Sequence, residues 1–205
     1  MMDGYCWVFG YGSLVGSGLL SQSLGRAGVE RAPASLRGFR RAWNAGMANR
    51  HDDPTDKFYV DEDGLRPDVV VAFLGLRTQP TSTVNGVVFR VGSDDLAQLD
   101  LRERRYSRVD ATHRVSSGAI GRGERVFVYL PTPEATARCL GAAHDDRLVV
   151  PQHYFDAVAD AFGGLGPEHL ARFSASTDDP PRLSPLNRVE PPGVTGPVAP
   201  RSRLP

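Results

Sequence analysis

Cysteine is scarce in this chain: Cys6 and Cys139 are the only two among 205 residues. Two thiols so far apart, without paired Cys/His spacing, build neither a disulfide framework nor a zinc site. They read as reduced, buried thiols. Neither sign of charge is in excess, because 24 basic residues face 24 acidic ones. That balance gives no basic surface for nucleic acid or an anionic membrane. No apolar run is long enough to span a bilayer. Met1-Met2-Asp3-Gly4 lacks a basic region followed by an apolar one, so no signal peptide is expected. The expected compartment is the cytoplasm. The five histidines (His51, His113, His144, His153 and His169) are scattered. None sits at metal-ligand spacing, so neither metal nor cofactor is expected. Phosphate-loop and dinucleotide glycine patterns are missing, as is the G-x-S-x-G elbow of a serine hydrolase. Ser13 therefore has little claim as a nucleophile.

What is present suits one domain. Hydrophobic residues make up 40% of the chain and charged residues 23%, enough to bury a proper core. Strands are expected at about 6–11, 34–47, 69–76, 84–91, 106–115 and 124–130. A turn near 81–83 is expected to separate the third from the fourth. Helices are expected at about 93–103, from Pro133, over 151–162 and from Pro167. Ser93 reads as an N-cap, with Asp94 and Asp95 in the favoured first turn. Residues 50–68 are polar and acidic, and read as a surface loop. The last 28 residues hold 8 of the 16 prolines and cannot be regular through most of their length. The expected division is a domain over 1–177 and a proline-rich tail over 178–205. Strands and helices do not alternate regularly. The fold class expected is therefore α+β, with strands that could close into a small mixed β-barrel.

Two stretches hold the candidate chemistry. The first is Trp7-Val8-Phe9-Gly10-Tyr11-Gly12-Ser13-Leu14, a buried strand broken early by glycine. Glycine frees a backbone to turn sharply, and successive N–H groups at such a turn can form an anion nest. A glycine-rich turn without a ligand is the alternative. The second is "SDDLAQLDLRERRYSRV" over 93–109. On a helix Leu96, Leu99 and Glu103 share one stripe, which brings Glu103 to the core-facing side. Burial and the negative helix end both favour a carboxylate that can take a proton. Arg102, Arg104, Arg105 and Arg108 argue the other way, toward a structural ion pair. Asp100 is the rival carboxylate. Tyr129, in "ERVFVYL", is either a core aromatic or a pocket wall. His153 reads as a surface or capping residue.

Taken together, "VFGYGSL", "NGVVFRVGSDDLAQLDLRERRYSRV" and "ERVFVYL" resemble the γ-glutamylcyclotransferase superfamily. The pattern is Y-G-S-L … G-V-x-F-x-V … L-D-x-R-E-x-x-Y, over roughly residues 5–130. "LRGFRRAW" (36–43) fits as well, and "VPQHYFDAVADAFGGLGPEHLARF" resembles the ChaC-type, glutathione-acting branch. The resemblance implies a small mixed β-barrel with flanking helices. It implies a substrate site formed by Tyr11, Gly12, Ser13 and Leu14 through backbone amides. It makes Glu103 the catalytic acid/base and Tyr129 a substrate-binding residue. The implied partner is a small γ-glutamyl compound, cyclised to 5-oxoproline without a cofactor. One departure is that Arg104 and Arg105 follow the glutamate, where some relatives carry glycine. The alternative function is a non-catalytic protein holding an acidic metabolite in the same pocket.

Overall fold

The computed structural model describes residues 4–26 and 28–190. Strand β1 (Cys6–Gly10) lies at the centre of the main sheet. It pairs antiparallel with β4 (Val70–Val91) and parallel with β7 (Val126–Pro131). Successive side chains of a strand point to opposite faces, and both faces here are covered. Val8 packs with Leu20, Phe89, Leu99 and Phe162 on one side. Phe9 packs with Leu36, Val88 and Val128 on the other. This explains why β1 reads as a continuous apolar run.

Beyond β4 lie β2 (Arg31–Ala48) and then β6 (Val115–Ser116). Beyond β7 lies β5 (Tyr106–Asp110). The hydrogen-bonded order is β5-β7-β1-β4-β2-β6. Its two edge strands are consecutive in the chain, joined through the turn at Ala111–Arg114. The expected α+β class holds. Among the described strands no ladder joins β5 to β6, so the expected barrel is not closed by hydrogen bonds. Register shifts at Arg37/Phe39 and Ala42/Ala45 mark irregularities that bend the long β2.

Among the described residues five helices flank the sheet: α1 (Ser17–Ser23), α2 (Ser93–Arg102), α3 (Pro133–His144), α4 (Gln152–Gly163) and α5 (Pro167–Ala175). A 3-10 turn over Ser13–Val15 precedes α1. The N-cap of α2 is Gly92, one residue earlier than expected, and its N–H donates to the Asp95 carboxylate at 3.3 Å. No helix among the described residues is long and apolar enough to cross a membrane. Both cysteines are free, Cys139 buried and Cys6 partly so.

Three expectations need correction. Val70–Val91 is one strand, not two. The expected turn near Thr81-Ser82-Thr83 falls where its ladder with β2 slips: Thr78 pairs with Phe39 and Thr83 with Arg37, so the chain bulges there and runs on as strand. Residues 50–68 are not simply a surface loop. Phe58–Val60 forms β3, with Tyr59 only 2% exposed. Its partner is β10 (Asn187–Val189), which comes from the proline-rich segment. There, β9 (Arg182–Ser184) also adds in parallel to β8 (Leu148–Pro151). Pro180, Pro181 and Pro185 flank these short strands, where no ladder donor is required. Residues 178–190 thus pack onto the domain, and 191–205 lie outside the described residues.

Candidate active site

The end of β1 builds the first wall. The chain folds back after Gly10, and a Cβ on that residue would sit 3.0 Å from the Leu14 Cβ. Glycine at position 10 is therefore a packing requirement. Tyr11 is buried, and its hydroxyl donates to the Tyr129 carbonyl at 2.7 Å. The Val15 and Gly16 N–H groups close the 3-10 turn on the carbonyls of Gly12 and Ser13. The N–H groups of Gly12, Ser13 and Leu14 donate to no protein acceptor among the described residues. All three residues line a narrow cleft. Successive free donors at the start of a turn can hold an oxyanion or a carboxylate.

Arg41 fixes this loop from behind. It is fully buried in β2. Its Nε donates to the Tyr11 carbonyl at 2.8 Å and its Nη1 to Ser176 Oγ at 2.7 Å. Its Nη2 reaches the Asn85 carbonyl and, at 3.2 Å, Asn85 Oδ1. The guanidinium lies 4.8 Å from the Phe162 ring centroid and 5.1 Å from that of Phe173. No carboxylate pairs with it among the described residues. Hydrogen bonds and aromatic faces take that place.

Glu103 supplies the second wall. It caps α2, with its N–H on the Leu99 carbonyl at 2.8 Å. Leu99 is fully buried, as the stripe required. The Glu103 side chain is 15% exposed, and Arg102 Nη1 lies 3.2 Å from its carboxylate. The expected arginine contact is thus Arg102 alone: Arg104 and Arg105 turn to Asp56, and Arg108 to Asp100. Asp100 also accepts from the Tyr129 hydroxyl at 2.7 Å and does not line the cleft.

Aromatic rings complete the cleft, whose volume is about 30 Å³. Tyr129 lines it, as expected. So do Tyr106 and Tyr154, whose hydroxyls hold the two peptide units on either side of Leu74 in β4. Tyr106 donates to the Leu74 carbonyl at 2.8 Å, and Tyr154 accepts from the Leu74 N–H at 3.3 Å. Burial pushes the phenols of Tyr11, Tyr106, Tyr129 and Tyr154 upward, so they stay neutral at physiological pH. Glu103 is the one carboxylate lining the cleft.

Ser13, Glu103, Tyr106 and Tyr154 also line a larger chamber of about 480 Å³. That size suits a small-molecule site. Its far side comes from β3, β10 and α4. His153 is exposed, as expected of a surface residue, and one ring face stacks on Tyr59 with centroids 6.0 Å apart; partial desolvation lowers its pKa. Lys57, just before β3, lies 4.5 Å above the Phe73 ring. Burial pulls its ammonium down to about 7, aided by Arg188, Arg105 and Arg102. The charges around it are compensated. Arg104 meets Asp56 at 2.7 Å, Arg105 meets Asp56, and Arg188 meets Glu190.

The structure therefore brings Tyr11, Gly12, Ser13, Leu14, Tyr129 and Glu103 to one cleft. Arg41, Tyr106, Tyr154 and Lys57 were missed as site residues. Tyr106 closes the L-D-x-R-E-x-x-Y pattern, and a second arginine in the apolar "RRAW" strand hinted at Arg41. No group of three or more His, Cys, Asp or Glu residues is placed to hold a metal among the described residues.

No protein-family model matches the chain, and no curated protein sequence does. Solved structures do match. A gamma-glutamyl cyclotransferase superposes with a TM-score of 0.52 at 16% identity, covering 95% of this chain and 94% of its own. YkqA from Bacillus subtilis gives a TM-score of 0.55 at 16% identity over 88% of this chain. The chain spans 56% of the length of YkqA. It also spans 62% of the length of At3g28950.1 from Arabidopsis thaliana, at 22% identity over 62% of this chain and a TM-score of 0.39. The molecule is an α+β protein in which the Gly12–Leu14 loop and Glu103 line one cleft. Its fold is that of the γ-glutamylcyclotransferases.

Proposed function

We propose that the protein cyclises a γ-glutamyl compound to 5-oxoproline and releases an amine, amino acid or peptide. One observation carries the reading: Gly12, Ser13 and Leu14, whose N–H groups have no protein acceptor among the described residues, line the same narrow cleft as Glu103. The fold likeness to a gamma-glutamyl cyclotransferase supports it.

A γ-glutamyl compound carries its own nucleophile. Glu103 takes a proton from the α-ammonium. The freed amine attacks the γ-carbonyl carbon, and a C–N bond closes the five-membered ring. The oxygen becomes an oxyanion held by the loop N–H groups. The bond to the departing nitrogen then breaks as Glu103 gives that nitrogen its proton, and the ring nitrogen, an NH2+ after the attack, passes its second proton by way of Glu103 to the released amine, leaving a neutral lactam and an ammonium. Atoms balance without water, metal or cofactor. The tyrosine walls fold the substrate into a near-attack shape.

The second reading is a binding protein for an acidic metabolite. The Arg102–Glu103 pair favours it, because a carboxylate engaged by a cation is a poorer base. Against it, Arg102 is itself one-third exposed, and a pair open to solvent is weak and easily parted. The deciding experiment is 5-oxoproline release measured by mass spectrometry. The panel is glutathione, γ-glutamyl amino acids and γ-glutamyl amines, with Glu103→Gln beside the wild type. Release that falls at least about a hundredfold in the variant supports the enzyme. Binding without release supports the second reading.

A further inference from the structure

We infer that Lys57 is a specificity-determining residue that receives a carboxylate on the departing amine. The inference rests on the cyclisation reading for its chemistry and on the chamber for its geometry. With the γ-carbonyl at the Gly12–Leu14 loop, the departing group extends into the 480 Å³ chamber. Lys57 lines that chamber.

The charges of the chamber single it out. Arg102 faces Glu103, Arg104 and Arg105 face Asp56, and Arg188 faces Glu190. Lys57 has neither a hydrogen-bond acceptor nor an ion-pair partner among the described residues. Its ammonium lies 4.5 Å from the Phe73 ring centroid. A cation in a walled chamber without a counterion is costly, and an incoming carboxylate removes that cost. A departing amine that is itself cationic would meet Lys57 and Arg188 as like charges.

Proton uptake ties this selection to pH. The charged and titratable groups lining the chamber with Lys57 are Arg102, Glu103, Arg104 and Arg105 at and after the end of α2, Arg188 and Glu190 from β10 onward, His153 from α4, and adjacent Asp56. The arginines and burial hold its ammonium at about 7. Below that pH the site is charged and accepts an anion. Above it the charge, and the preference, are lost. A bound carboxylate moves the transition upward.

The test uses the full chain and a matched pair of substrates, γ-glutamylglycine and γ-glutamylglycinamide, which differ in one charge. At pH 6.5 the wild type is expected to favour the carboxylate about tenfold or more in kcat/KM, through KM. Lys57→Met, which keeps the stem on Phe73, is expected to bring that ratio near one. Lys57→Arg is expected to keep it. Between pH 6 and 9 the preference falls in the wild type and persists in Lys57→Arg. Equal use of the two substrates by the wild type overturns the inference, as does an unchanged ratio in Lys57→Met. Calorimetry with both compounds, on Glu103→Gln with and without Lys57→Met, separates the two readings. A Lys57-dependent binding preference there, with no 5-oxoproline release by the wild type, overturns the cyclisation and keeps the anion site. Equal binding, or no binding, overturns the anion site.

Discussion

The Nε of Arg41 donates to the Tyr11 carbonyl at 2.8 Å, so a fully buried cation in β2 holds the loop that ends β1. The same guanidinium ties in Ser176 after α5 and Asn85 in β4. Asn85 in turn donates to the His169 carbonyl at 2.9 Å. Strand, loop and C-terminal helix therefore share one polar knot inside an apolar core. Such knots are stable only when every member is satisfied.

Arg41→Met tests the knot. The substitution removes the donor and leaves the Tyr11 and Asn85 carbonyls without it. The expected loss is about 3 kcal/mol in urea unfolding. Arg41→Lys is expected to recover less than half, because an ammonium cannot reach three acceptors in one plane. Turnover of the folded fraction should fall in both. A Lys variant as stable and active as the wild type would remove Arg41 from this role.

Asp178 anchors the chain beyond α5. Its carboxylate accepts from Arg40 Nε at 2.6 Å and Arg77 Nε at 2.8 Å, and its carbonyl accepts from Trp43 Nε1 at 2.9 Å. The Arg77 hydrogen bond, with help from Arg40, holds its carboxyl below the usual range. A lowered carboxylate pKa stabilises above the unfolded value, and that contribution fades as pH falls through the folded one. Asp178→Asn should cost about 1 kcal/mol at pH 7, discounted for the partly exposed setting. The difference between variant and wild type should shrink below about pH 4. A difference independent of pH would mean that shape, not charge, holds this segment.

The two carboxylates on α2 were left as rivals by spacing alone, and the structure separates them. Asp100 accepts from Tyr129 at 2.7 Å and from Arg108 at 2.9 Å, while Glu103 lines the cleft. Asp100→Asn is expected to lower 5-oxoproline release less than tenfold, whereas Glu103→Gln lowers it at least about a hundredfold. Tyr129→Phe should cost about 1 kcal/mol of stability through its lost hydrogen bond. If Asp100→Asn were the silencing change, the assignment of the base would reverse.

How much of this was legible follows from the distance over which each feature is decided. The β1 run, the Gly10 break and the Leu96–Leu99–Glu103 stripe are set by neighbours within one turn, and period and spacing revealed them. Lys57 and Tyr59 were read as loop, because their burial is made by β10, more than a hundred residues later. Polar composition around them gave no sign of that pairing. β4 is a second case: its polar middle reads as a turn, and it is where the ladder with β2 slips register, between Thr78 and Thr83. Arg41 illustrates a third case. A charged residue in a strand normally marks the exposed face, and here several hydrogen-bond acceptors from distant segments reverse that rule.

The loop chemistry makes a last, sharper demand on Ser13. If the loop acts through its backbone, the Ser13 hydroxyl has no chemical step to perform. Its Oγ has one side-chain contact, a long 3.4 Å bond from Arg102 Nη2. Ser13→Ala keeps the N–H and is expected to hold kcat within about threefold, while loss of an oxyanion donor costs on the order of a hundredfold or more. The small change should appear in KM, because Arg102 loses an acceptor at the cleft mouth. A collapse of kcat in a stably folded Ser13→Ala would show that the hydroxyl takes part in the reaction. In that event the backbone-cradle account of Gly12–Leu14 would give way to a hydroxyl-dependent one. Circular dichroism and thermal unfolding of the same sample would exclude misfolding as the cause.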